Sequence, residues 1–140
     1  MKRIVTFSGL LLATFMGIAA PTEAQNQIKQ TVAENACIAT TPKEQLAFNA
    51  AKNEARQMAE ATNGGLSIYR AEPAMHGAAI DSPCEMLGQN SWRFTIRGGE
   101  PTAVALEEDY TLLSVVTVQG TGRDLTITLE YNGPIEEYVQ

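Results

Sequence analysis

Polar and apolar positions follow three rhythms along this chain. Residues 4–20 are apolar, broken only by small or weakly polar side chains. From Pro42 to about Thr62 apolar residues recur at a helical period. Ala47, Phe48, Ala51, Ala55, Met58 and Ala59 fall on one side of the wheel, and Gln45, Asn49, Lys52, Asn53, Arg56 and Glu60 on the other, the expected solvent face. Thr41-Pro42-Lys43-Glu44 starts this helix, with a capping hydroxyl, a proline at the first helical position and a carboxylate three residues after the cap. Asn63-Gly64-Gly65 stops it, because glycine tolerates the left-handed backbone of a helix end.

Beyond the helix the period shortens to two. Residues 66–70 read as a short strand and residues 71–90, with Pro73, Gly77, Pro83 and Gly88, as a long loop. In residues 91–97, Trp92, Phe94 and Ile96 alternate with Arg93, Thr95 and Arg97. Gly98-Gly99-Glu100-Pro101 reads as a break. Residues 112–118 are rich in β-branched side chains, and the turn at residues 119–123 leads to Leu125, Ile127, Leu129 and Tyr131, which alternate with polar residues as the second arm of a hairpin. The pattern predicts an α+β fold, one amphipathic helix packed on a three- to four-stranded antiparallel β-meander. It forms a single domain over residues 41–134, with a flexible segment at 25–40 and an acidic tail at 135–140. The Ala-rich helix stripe lets the helix axis lie close to the sheet.

The first 24 residues read as an export address. Lys2 and Arg3 precede the apolar run, Pro21 ends it, and Thr22-Glu23-Ala24 offers cleavage after Ala24. The other reading is a membrane anchor, but the run is short for a hydrocarbon layer of about 30 Å. The chain is thus expected to be periplasmic or secreted, with no stable membrane insertion once processed. Its two cysteines then meet an oxidising compartment and are expected to pair as Cys37–Cys84.

The formal charge of −6 argues against nucleic acid as a partner. Residues 100–140 carry Arg123 alone against eight acidic side chains. The sole histidine, His76, lies in the expected loop and reads either as a general base or ligand or as a solvated imidazole. Glu107-Glu108-Asp109 is the densest carboxylate run. It suits calcium by donor type, yet consecutive side chains do not converge on one ion, and a solvated acidic loop is the simpler reading. Neither G-x-S-x-G nor C-x-x-C is present. No metal site and no cofactor is expected. Tyr69, Arg70 and Glu72 leave the first expected strand together and, with His76 and Trp92, are the candidate lining of a small recognition surface. The alternative is a strand-end ion pair beside a core tyrosine.

Residues 53–56, 63–66, 69–72 and 75–77, with Phe94-Thr95-Ile96-Arg97-Gly98-Gly99 and Glu130-Tyr131-Asn132-Gly133-Pro134, resemble a group of small exported cyanobacterial proteins of no assigned function. The resemblance implies export and brings no catalytic residues. In element order alone the chain resembles PepSY-type and cystatin-like modules. Val118-Gln119-Gly120 does not match the cystatin Gln-x-Val-x-Gly hairpin, which puts protease inhibition in doubt.

These features favour an exported, non-enzymatic binding or accessory module of the cell envelope or exterior. Its partner would be a protein, a peptide or a small ligand, met at the sheet surface or at the loop over residues 71–90. One alternative is a small hydrolase using His76 with Glu72 or Asp81. Another is a calcium-linked adhesion or interaction protein.

Overall fold

The computed structural model describes residues 36–139. The expected leader at residues 1–24 and most of the 25–40 segment lie outside them. Helix α1 spans Pro42–Thr62 and begins with a complete capping box. Thr41 Oγ1 accepts the Glu44 N–H at 3.2 Å, while the Glu44 carboxylate accepts the N–H groups of Thr41 at 3.0 Å and Thr40 at 2.8 Å. Gly64 and Gly65 take φ of 98° and 86° at its far end, where the Gly65 N–H bonds back to Glu60 O.

One antiparallel sheet of five strands lies against α1: β1 Arg70–Ala71, β2 Cys84–Gly88, β3 Ser91–Gly99, β4 Leu112–Gln119 and β5 Thr126–Pro134. Strand β3 pairs with β4, which pairs with β5. The other edge of β3 is shared, β2 lying along Ser91–Phe94 and β1 along Gly98–Gly99. The fold is α+β, as the pattern predicts.

Four local expectations are corrected. Residues 66–69 form a turn rather than a strand, because the left-handed glycines curl the chain so that Ile68 N–H and Tyr69 N–H both bond Gly65 O. The expected long loop holds two 3-10 turns, Pro73–Met75 and Ala79–Asp81, and the whole of β2. Strand β3 continues through Gly98 and Gly99, since a side chain at Gly98 would collide with the Tyr69 ring that lies over it. Pro101–Glu107 forms a second helix, α2, whose cap Glu100 accepts the Ala103 N–H at 2.8 Å. The proline that suggested a break instead occupies a first-turn position of this helix.

The main core joins Phe48, Ala51, Ala55 and Ala59 of α1 to Trp92, Phe94, Ile96, Val116 and Val118 of the sheet. The Phe48 ring lies 6.1 Å from Trp92 and 6.2 Å from Phe94. Lys52 and Glu60, placed on the solvent face by the wheel, are only 6% exposed. The 3-10 turns fold over that flank of α1, bringing Met75 and Ala79 into the core.

The β4–β5 ladder is interrupted at Glu130. Val115 pairs with Tyr131 and Val116 with Leu129, so Glu130 is the extra residue of a bulge. Alternation restarts in opposite phase. Asn132 consequently turns toward α1, where it accepts from Ser114 at 2.6 Å and exchanges hydrogen bonds with the Asn63 amide. Leu113 and Val115 face away from α1 and are buried, with Val104 of α2, outside the main core. The expected acidic tail begins with a 3-10 turn, Ile135–Glu137, docked by Ile135 N–H to Thr111 O.

Candidate functional site

Cys37 and Cys84 form a disulfide with Cα atoms 5.8 Å apart. The neighbouring pair, Ala36 and Glu85, makes an antiparallel bridge in the same register. The chain ahead of α1 is thus tied to the outer edge of β2. Residues 38–40 pass beside the start of the helix.

The five residues proposed from sequence divide between two ends of the sheet. Tyr69, Arg70, Glu72 and His76 gather where β1 meets the end of β3. Trp92 sits six positions back along β3 from Gly98, about 20 Å away.

At the first end, the Tyr69 ring packs on Gly98 and its hydroxyl is buried without a hydrogen-bond partner among the described residues. Burial pushes this hydroxyl up to about 12, against a smaller downward pull from Ser114 beside it. Ser114 Oγ donates instead to Asn132. Arg70 is exposed. Glu72 is 3% exposed, with one carboxylate oxygen on the Arg97 backbone N–H at 2.8 Å and the other on the Arg97 guanidinium at 2.7 Å. That guanidinium lies 4.7 Å from the centre of the Tyr110 ring, a cation–π distance.

His76 does not meet Glu72 as a partner. Its Nε2 lies 3.8 Å from Glu60 Oε1, and Glu60 is gripped by Arg56 through both oxygens at 3.0 and 3.1 Å. Burial first, then the Arg56 charge, holds the imidazole below its ordinary value, with Glu60 opposing. Lys52 straps the same segment to α1, Nζ donating to Gly77 O at 2.5 Å, and its ammonium is lowered by burial and by Arg56. Sequence inspection missed Lys52 and Glu60 as neighbours of this loop. A helical wheel assigns one covered side and is blind to a second.

At the other end, Trp92 is 3% exposed and its Nε1 is buried with no acceptor among the described residues. It borders a hollow of about 210 Å³ walled by Ile38, Phe48, Met86, Gln89 and Asn90. A second hollow of about 410 Å³ adjoins it between α1 and the two hairpin tips, beside Leu46, Ala47, Ala50, Thr121 and Gly122. The two share Glu44, Gln89 and Asn90 and so form one cleft. Asn90 holds φ of 55° at the β2–β3 tip, and its carbonyl accepts the Gly120 N–H at 2.8 Å, joining the two tips. Thr41, Glu44, Ala47 and Phe48 were legible as helix cap and helix stripe, but nothing in the sequence joins them to Gln89, Asn90 or the turn at residues 119–123. The cleft residues come from three stretches of the chain, 38–50, 86–92 and 121–122, and meet only in space.

Asp81 lies exposed at the end of the second 3-10 turn. Glu107 and Glu108 close α2, and Asp109 follows. Among the described residues no group of three or more His, Cys, Asp or Glu side chains is placed to hold a metal ion, and no helix is long and apolar enough to cross a membrane. Comparison with protein-family models, with curated proteins and with solved structures returns no match.

Proposed function

We propose that this chain is an exported, non-enzymatic binding or accessory module that takes its ligand in the cleft between the start of α1 and the two hairpin tips. What supports the proposal is the pair of adjoining hollows of about 210 and 410 Å³, which share Glu44, Gln89 and Asn90 and have Lys43 and Glu44 as their only charged lining residues. The disulfide is consistent with the oxidising compartment that export implies. Glu72, one of the carboxylates expected to serve a hydrolytic His76, is instead held by Arg97.

Trp92 is the sole tryptophan, so its indole N–H gives a single resonance in a ¹⁵N-correlated spectrum. A screen of neutral amphipathic fragments should shift that resonance together with the side-chain amides of Gln89 and Asn90. Fragments that shift only His76 and Arg70, or none of these groups, would overturn the proposal.

A further inference from the structure

We propose that Asn63 is a site of self-modification, where the side-chain amide is lost to give aspartate and isoaspartate at a rate set by a hydrogen-bonded clasp with Asn132. Among the seven asparagines of the chain, only Asn63 and Asn132 are followed by glycine. The fold brings these two together across a sequence separation of 69. Asn63 Nδ2 donates to Asn132 Oδ1, and Asn132 Nδ2 returns a bond to Asn63 Oδ1, both at 3.0 Å. Asn63 Nδ2 also lies 2.8 Å from Ala59 O and 3.2 Å from the Oγ of Ser114, which is wholly buried.

The chemistry needs only water. The Gly64 backbone nitrogen attacks Asn63 Cγ, a C–N bond forms and ammonia leaves, giving a five-membered cyclic imide. Water then opens the ring at either carbonyl. A following glycine favours the attack, because it has no Cβ to obstruct the nitrogen.

The two Asn-Gly pairs are unequally guarded. Ile135 N–H bonds Thr111 O at the end of the β4–β5 ladder. Antiparallel bonding alternates, so Gly133, two residues earlier and opposite Leu113, directs its N–H into β4. Gly64 is exposed, and its N–H makes one long bond of 3.3 Å to Ala61 O at the fraying end of α1. Asn63 is therefore the reactive member. Ring closure still needs the Gly64 nitrogen on the Cβ side of the Cα–C bond, and the Asn63 ψ of 16° turns it away. The helix end has to open first, and the clasp opposes that opening.

The product cannot rebuild the clasp. A carboxylate at position 63 faces Ala59 O and Asn132 Oδ1, two acceptors that the amide served as donor. It also sets a negative charge at the negative end of α1, whose last turn holds no basic residue. Conversion thus loosens α1 from β5.

The test ages the oxidised chain beginning at Gln25 in mildly alkaline buffer, folded and in urea, and maps isoaspartate by methylation and peptide mass spectrometry. In urea the two Asn-Gly sites should convert at similar rates. In the folded chain both should slow, with Asn63 well ahead of Asn132. Asn132→Ala should speed conversion of Asn63 roughly tenfold, as loss of its hydrogen bonds from the closed form predicts. Thr41→Ala, which removes the cap at the far end of α1, should speed it far less. Asn63→Asp should melt below the parent chain. If Asn132→Ala fails to fold, the order of conversion in the parent chain carries the test. Asn132 converting first or together with Asn63 in the folded chain, no conversion at Asn63, or equal acceleration by Thr41→Ala overturns the proposal.

Discussion

Glu72 stands in for a missing strand residue opposite Arg97. Strand β2 leaves β3 at Phe94 and β1 joins it only at Gly98. In the gap, Pro83 O takes the Thr95 N–H at 3.0 Å and the Glu72 carboxylate takes the Arg97 N–H, while Glu72 N–H returns a bond to Arg97 O at 2.8 Å. Glu72→Ala should leave the Arg97 amide without an acceptor and cost about 1–3 kcal/mol in urea unfolding. Glu72→Gln keeps an acceptor oxygen and should cost less. Equal losses for the two variants would contradict the edge-filling role.

Tyr69 and Gly98 form a second interlocked pair. The Tyr69 hydroxyl is buried with no hydrogen-bond partner among the described residues, so Tyr69→Phe should be neutral or stabilising in thermal melts. Gly98→Ala should cost about 1–3 kcal/mol, because its methyl group meets the tyrosine ring. Pairing Gly98→Ala with Tyr69→Leu should recover part of that loss. Strictly additive effects would refute the contact.

His76 gives stability a slope with pH. Its folded-state value lies below the ordinary 6.5, so the unfolded chain takes up the proton first as pH falls. The contribution of the neutral imidazole is therefore complete above 6.5 and declines as pH drops through 6.5 toward the folded value. The charges facing it are Arg56, Glu60 and Arg70. Melting curves of His76→Gln should lose this slope between about pH 5 and 7, where no other histidine titrates. A slope equal to that of the parent chain would assign it to other groups.

The disulfide closes a loop with a sequence separation of 47, for which chain entropy predicts about 4 kcal/mol. Reduction, or paired Cys37→Ser and Cys84→Ser changes, should lower unfolding stability by that order in guanidinium titrations. Ligand binding at the cleft should weaken in parallel, because residues 38–40 border it. Loss of stability without loss of binding would separate the bridge from the site.

What could be read from the sequence was local. The capping box at Thr41, the alternation from Trp92 to Ile96 and the hairpin of β4 and β5 each leave a mark within a few residues. Strand β2 leaves none: Cys84-Glu85-Met86-Leu87-Gly88 does not alternate, and it is a strand because β3 offers it an edge. Tyr131 continues the alternation of Leu129 on paper, yet the bulge at Glu130 reverses its face, a consequence of pairing with β4. The same holds for the site. Trp92 was legible as an aromatic of interest, but its neighbours in the cleft are assembled by tertiary contact.

The cross-link between Cys37 and Cys84 also sets how the molecule bears tension. A tether pulling from the N-terminal side loads β2 directly through sulfur, and α1, which lies wholly inside the closed loop, stays slack. Stretched end to end, the oxidised molecule pays out less chain than the reduced one, and its helix is shielded until the bond is cut.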